Sequence, residues 1–100
     1  MAVSVSESED KQEITLHVPE RFDFSCHQEF TGAYKAYPKG EARFVVDLGH
    51  TEYMDSSAMG MLLQLREHSG NAGPIALTNA GTEVREILRI ANFDKLFSIP

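Results

Sequence analysis

The sequence is short of basic residues, and none of its apolar runs approaches the length of a membrane span. Nine Lys and Arg residues stand against fifteen Asp and Glu residues, which gives a formal net charge of −6. A nucleic-acid-binding protein needs a basic face to displace counterions from phosphates, and docking on an anionic membrane also needs basic residues. Crossing a bilayer takes roughly 20 apolar residues. We therefore expect neither direct nucleic-acid binding nor membrane insertion.

The sequence has one cysteine, Cys26, and lacks a basic-then-apolar N-terminus of the signal-peptide kind. A single cysteine cannot form an internal disulfide, which fits a reducing cytoplasm. Neighbouring helical residues do not face each other, so Cys26 and His27 are not expected to act as a pair. The four histidines show no ligand spacing with the cysteine. We therefore expect a cytoplasmic protein with no metal ion and no other cofactor.

The motifs of nucleotide-binding and hydrolytic enzymes are also absent. A P-loop requires Gly-Lys-Ser or Gly-Lys-Thr, which the sequence lacks. Ser56, Asp55 and His50 could be combined into a hydrolase set, but there is no Gly-x-Ser-x-Gly elbow and no second half of a site. We therefore expect no enzymatic activity, and a phosphate transferred to this chain would have to come from another protein.

Length and composition are typical of one soluble globular domain, predicted here to span residues 1–100, with 42% hydrophobic and 24% charged residues. Apolar periodicity with Pro and Gly stops predicts the order β-β-α-β-α-β-α-β. Strand–helix–strand repeats favour parallel pairing with right-handed crossovers. The predicted fold class is therefore α/β, a mixed β-sheet with helices packed on it.

The predicted elements differ in how clearly the sequence marks them. A weak edge strand within 2–11 and a strand at 13–18 are expected to pair antiparallel. Residues 43–48 are apolar on both faces and are predicted as the central strand, covered on both sides. The remaining predictions are strands at 75–78 and 96–99 and helices at 25–37, 56–68 and 82–91. Ser25 is predicted to cap the first helix, with Gln28 as the other half of a capping box.

The stretch 53–63 joins the central strand to the second helix. Asp55, Ser56 and Ser57 are residue types that begin helices, because their side-chain oxygens accept from the free N–H groups of the first turn. On this reasoning alone, Ser56 could be no more than a helix cap. Gly60, further along, would allow either close internal packing or the approach of a partner.

The motif Met-Asp-Ser-Ser-x-x-Gly at 54–60, preceded by Asp-Leu at 47–48, resembles the signature of STAS-domain anti-sigma-factor antagonists, the anti-anti-sigma family. The resemblance covers roughly residues 13–99 and implies the same α/β architecture. Two departures are present: Ala-Met-Gly at 58–60 replaces the usual Gly-Leu-Gly, and only Asp23 matches the family's Gly-x-Leu-Asp. Family members usually end in one more helix, so one patch is expected to be less covered where this sequence stops at Pro100.

The resemblance implies a phosphorylation-controlled switch. Ser56 matches the serine that a protein kinase phosphorylates, whereas Ser57 lies about 100° further round the helix axis. The unphosphorylated chain would sequester an anti-sigma factor that is also a serine protein kinase, and a PP2C-type phosphatase would reset the phosphorylated chain. A monomer is expected. The partner-binding residues expected on this basis are Asp23, Asp55, Ser56, Ser57, Met59 and Gly60.

A second function stays open at this point. Some relatives of the family are STAS regulatory subunits of an ABC-type transport ATPase, with the same helix face buried in a permanent complex. In that case Ser56 would serve only as part of the helix start.

Overall fold

The computed structural model describes residues 3–70 and 72–100. In these ranges the chain forms six strands: β1 (Ser4–Glu7), β2 (Glu13–His17), β3 (Arg21–Phe22), β4 (Arg43–Asp47), β5 (Tyr53–Met54) and β6 (Ala76–Thr78). The α-helices are α1 (His27–Lys35), α2 (Ser56–Ser69) and α3 (Thr82–Ile90). Short 3-10 turns precede α1, at Phe24–Cys26, and follow α3, at Phe93–Lys95.

Four strands form the main sheet, in the order β1-β2-β4-β6. β1 runs antiparallel to β2, whereas β4 is parallel to both of its neighbours, β2 and β6. The predicted antiparallel pair at the start of the chain, the mixed sheet and the central position of β4 are confirmed. The parallel strands are joined by helices, as the alternating pattern of the sequence predicts.

One face of this sheet carries the hydrophobic core. Inward side chains alternate with more exposed ones along β2 and β4. The inward positions of the three parallel strands are at most 1% exposed, and they are Ile14, Leu16, Phe44, Val46 and Leu77. Each α-helix adds apolar side chains to the same core: Phe30 and Tyr34 from α1, Ala58, Met61, Leu62 and Leu65 from α2, and Val84 and Leu88 from α3.

The prediction that both faces of the central strand are buried is wrong for Val45. Val45 is only half-buried and lies in register between Thr15 of β2 and Ala76 of β6. Its immediate neighbours Phe44 and Val46 point the other way and are buried. The apolar character of Val45 reflects the strand preference of a β-branched residue, and the helices cover the opposite face.

The first helix begins differently from the prediction. Ser25 does not cap it: the Ser25 N–H group donates to Asp23, and the chain first makes a 3-10 turn. The α-helix proper begins at His27 and has no side-chain cap. The predicted capping box of Ser25 with Gln28 is therefore wrong, because Asp23 lies two residues earlier and accepts the first hydrogen bond.

The last predicted strand is reduced to a single bridge. Ser98 lies parallel to Ala76, with hydrogen bonds from Leu77 N to Ser98 O and from Ser98 N to Ile75 O, both 2.8 Å. The second and third helices begin at the predicted residues. Within residues 3–70 and 72–100, no helix has the length and apolar content required to cross a membrane.

Candidate functional site

A second, two-stranded ladder lies immediately before the predicted site residues in the chain. β3 and β5 pair in parallel, with Arg21 beside Tyr53 and Phe22 beside Met54. Phe22 and Met54 point into the core and are 0% and 4% exposed, whereas Arg21 and Tyr53 face solvent. The sequence does not predict this ladder, because strands of two residues are too short to show a periodic pattern.

An aspartate follows each strand of this ladder and caps the turn that comes after it. Asp23 Oδ1 accepts from the Ser25 N–H group at 3.0 Å and from the Ser25 hydroxyl at 2.5 Å. Asp55 Oδ1 accepts from the Ala58 N–H group at 3.0 Å and from the Ser57 hydroxyl at 2.7 Å. Because the strands are in register, the two aspartates lie side by side. The structure thus brings Asp23 and the first turn of α2 together on one side of the molecule.

Both carboxylates are stabilised in the charged form. The Ser57 hydroxyl and the Ala58 N–H group lower the pKa of Asp55, although the neighbouring charge of Asp23 acts in the opposite direction. The side chain and N–H group of Ser25, with a smaller contribution from Arg21, lower the pKa of Asp23. The site therefore presents two negative charges at neutral pH.

The two serines at the start of α2 have different surroundings. Asp55 is the N-cap, so Ser56 is the first helical residue and its side chain is not needed for capping. Ser56 is exposed, and within the described ranges its hydroxyl makes no hydrogen bond. The Ser57 hydroxyl is half-buried and donates to Asp55. Of the two serines, Ser56 is therefore the one whose hydroxyl is available to an incoming phosphoryl donor.

Met59 and Gly60 extend this surface along α2. Met59 is half-buried against the core, whereas Gly60 is exposed. A Cβ atom added at Gly60 would meet no heavy atom within 4 Å outside its own helix backbone. Close internal packing therefore does not explain this glycine.

Two exposed aromatic residues, Phe24 and Tyr53, lie near the aspartates in the chain. Neither was among the site residues expected from the sequence. Phe24 follows Asp23 directly, and 67% of its surface is exposed. Tyr53 ends beside Arg21, whose guanidinium lies 4.5 Å from the centre of the Tyr53 ring. Arg21 also pairs with Asp23 at 3.4 Å. The sequence offers only an aromatic residue next to the matched Asp23 as a signal, because residue type does not reveal exposure.

His50 does not join the site as the imagined hydrolase set would require, since the described contacts include no hydrogen bond between His50 and Ser56 or Asp55. A different polar chain crosses the open face of the main sheet. The His17 ring lies 2.9 Å from both Ser6 Oγ and Asp47 Oδ2. Ser6 is on the exposed edge strand, and the chain links β1, β2 and β4, so we interpret it as a cross-strand network that supports the sheet.

The candidate site lies away from a cavity at the other end of α2. A cavity of about 370 Å³ lies at the opposite end of α2, where it is lined by Arg66, Ser69, Gly70 and residues of the following loop. The residues at the start of α2 do not line it. Among the described residues, no group of three or more His, Cys, Asp and Glu side chains is arranged to hold a metal ion.

Comparison with known proteins gives one family. A family model described as "Mlab, STAS domain" matches residues 5–98. A STAS-domain containing protein of Pseudomonas aeruginosa (strain UCBPP-PA14) is 48% identical over 100 residues, which cover 99% of this chain and 99% of that protein. The resemblance of this chain to the STAS-domain family is thus confirmed.

Solved structures with the same fold include two forms of the anti-sigma factor antagonist SpoIIAA. The unphosphorylated form matches with a TM-score of 0.65 and 18% identity, over 89% of this chain and 83% of that chain. The phosphorylated form, from Bacillus, matches with a TM-score of 0.65 and 17% identity, over 99% and 91%. At these identities the likeness concerns the fold, a mixed sheet with three helices. Taken with the family model and the Pseudomonas relative, it leads to one conclusion: the chain belongs to the STAS-domain family.

Proposed function

We propose that this chain is an anti-anti-sigma factor of the cytoplasm. It acts as a protein-binding switch that sequesters an anti-sigma factor, which is also a serine kinase, while Ser56 is unphosphorylated. The chain itself is not an enzyme and works as a monomeric single domain. A PP2C-type phosphatase removes the phosphate and restores binding.

The observation that carries the proposal is the free hydroxyl of Ser56 at the first position of α2. Asp55 performs the capping, so Ser56 is exposed without a structural task, and a kinase can reach it without unfolding the helix. A helix N-terminus presents unpaired N–H groups and the positive end of the helix dipole, which favour a phosphate. Phosphorylation therefore leaves the fold in place.

Charge explains how the phosphate would prevent binding. Asp23 and Asp55 already place two carboxylates beside Ser56, and a phosphoserine adds about −1.5 to −2 charges at neutral pH. A partner surface that fits the unphosphorylated site would have to desolvate and face this added charge.

The second candidate function is a STAS regulatory subunit of an ABC-type transport ATPase. The face of α2 that begins at Ser56 also carries Leu63, which is 40% exposed, and Gly60, which has free space above it. A permanent partner could cover both residues. On this account Ser56 is never phosphorylated, and the chain is purified as a stable complex with an ATPase.

The test is phosphorylation in the presence of the kinase. The purified chain is incubated with ATP, Mg²⁺ and a candidate anti-sigma factor kinase encoded beside its gene, and the phosphosite is assigned by mass spectrometry. The Ser57→Ala variant serves as the matched control. The proposal requires phosphate on Ser56 in both the wild type and Ser57→Ala. Phosphate on Ser57, or none with a kinase that is active on another substrate, would contradict it.

A further inference from the structure

Phe24 is an apolar side chain exposed to a degree that folding does not explain. Its exposed fraction, 67%, is close to that of Ile90 on α3, at 68%, and exceeds that of Tyr53, at 43%. Large aromatic rings dominate the energetics of interfaces, because each buries an extensive apolar surface at a low cost in side-chain entropy. Exposure alone does not make Phe24 a contact residue, since single exposed apolar residues are common.

Contacts within the chain support the position of Phe24. Its ring stacks on the His27 ring, with centroids 5.1 Å apart and planes inclined by 19°. Its backbone belongs to the 3-10 turn that Asp23 caps. A side chain that is already ordered loses little conformational freedom when a partner binds it, so more of its burial free energy appears as affinity.

The location of Phe24 relates it to the phosphorylation site. Phe22 and Met54 are paired in register, and Asp23 and Asp55 follow them, each as a cap. Phe24 thus directly follows the capping residue Asp23, and Ser56 directly follows the capping residue Asp55. The two turns begin side by side, and both residues are exposed.

We infer that Phe24 is the anchor by which this chain binds the kinase that phosphorylates Ser56. The Phe24 ring inserts into an apolar pocket of that kinase, beside the part of the kinase that receives Ser56. This inference rests on the proposed function. It adds the residue that determines recognition and the chemistry of the surface that receives it.

The test compares Phe24→Ala with Ile90→Ala, a matched control of similar exposure on another helix. Each variant is titrated against the kinase without ATP, and Ser56 phosphorylation is then followed at several concentrations of the chain. We expect Phe24→Ala to weaken binding about 10- to 100-fold and to raise KM with little change in kcat. Ile90→Ala should match the wild type in both measurements.

A second variant separates the anchor from its support. His27→Ala removes the stacking partner and leaves the Phe24 ring in place, so binding should weaken by a smaller factor than in Phe24→Ala. Thermal melting of each variant confirms that it is folded before it is titrated. If Phe24→Ala binds within twofold of the wild type, or if Ile90→Ala loses as much affinity, the anchor assignment is wrong.

The two levels of the proposal fail in different ways. A wild-type chain that the kinase neither binds nor phosphorylates on Ser56 would contradict the proposed function, and the anchor with it. Normal phosphorylation of Ser56 in the wild type, unchanged in Phe24→Ala, would contradict only the anchor.

Discussion

Asp23 and Asp55 occupy matching positions after two paired strands. Each accepts one hydrogen bond from a backbone N–H group and one from a serine hydroxyl of the turn that it caps. The consequence for function lies in the next residue. Phe24 and Ser56 directly follow the two capping aspartates, and both are exposed at the starts of adjacent turns. The motif around Asp55 therefore has two roles: Asp55 supports the start of α2 at Ser56, and the motif lies on the surface that we propose to contact the partner.

The capping assignment predicts unequal costs for two neighbouring substitutions. Asp55→Ala should reduce the free energy of unfolding by about 0.5–2 kcal/mol, because the helix loses its N-cap. Ser56→Ala should reduce it by less than about 0.5 kcal/mol, since the exposed hydroxyl does not cap the helix. Urea denaturation of both variants measures the difference. A loss in Ser56→Ala as large as that in Asp55→Ala would contradict the assignment of the cap to Asp55 alone.

Asp47 is expected to contribute to stability against acid. The Asn79 amide, followed by the Gly49 N–H group and His17, lowers the pKa of Asp47 in the folded state. A carboxyl group with a lowered folded pKa stabilises the protein above its unfolded pKa of about 3.9, and this contribution is lost as pH falls through the folded value.

The acid effect is measured as the free energy of unfolding between pH 7 and pH 3. The wild type should lose more stability over this range than Asp47→Asn, and Asn79→Ala should fall between the two. Glu83→Gln is a suitable control for a general charge effect, because this exposed residue lies on α3. If all the profiles are parallel, the hydrogen bonds to Asp47 do not stabilise its charged form.

Substitution of Gly60 should change the stability of the free chain and its affinity for the partner in opposite directions. A glycine in a helix interior costs about 0.5–1 kcal/mol relative to alanine, and a Cβ at Gly60 has free space. Gly60→Ala should therefore stabilise the free chain by about this amount while weakening partner binding. Gly32→Ala is the matched control, because Gly32 lies within α1 and has equally free space.

The two glycine variants are compared by thermal melting and by titration with the partner. Both should melt at a higher temperature than the wild type, and only Gly60→Ala should lose affinity. Unchanged binding by Gly60→Ala would remove this part of α2 from the contact surface.

Neighbouring residues of β4 test which face of the sheet is covered. Val46 is 0% exposed, so Val46→Asp should unfold or severely destabilise the chain, because a buried carboxylate without a partner is costly. Val45→Thr changes the half-buried neighbour on the open face and should be tolerated. Circular dichroism melting curves distinguish the two. A folded Val46→Asp variant with a melting temperature near the wild type would contradict the assignment of the core face.

The sequence predicted the order of the main elements because long apolar patterns and Pro or Gly stops mark them. The ends of elements were harder. Asp55, Ser56 and Ser57 are all good capping residues, so their order alone could not decide which one accepts the hydrogen bond; the structure selects Asp55. Val45 was expected to be buried, because a β-branched residue suits a strand whether or not a helix covers it.

The site was predictable in part. Asp23 and Asp55 came from the motif, but their proximity depends on the pairing of β3 with β5, and strands of two residues have no readable period. Phe24 and Tyr53 were missed for a related reason. An exposed aromatic side chain is indistinguishable from a buried one until the direction of its strand or turn is known.

The most direct test of the central claim is the affinity of the partner for Ser56→Ala and Ser56→Asp, measured by calorimetric titration with the anti-sigma factor kinase. Ser56→Ala should bind like the unphosphorylated wild type, because the surface gains neither charge nor bulk. Ser56→Asp should bind more weakly, because it adds a negative charge to a surface that already carries Asp23 and Asp55. It should remain folded, since an acidic residue is favourable at a helix start. Equal affinities for the two variants would contradict the switch and favour the constitutive subunit of a transport ATPase.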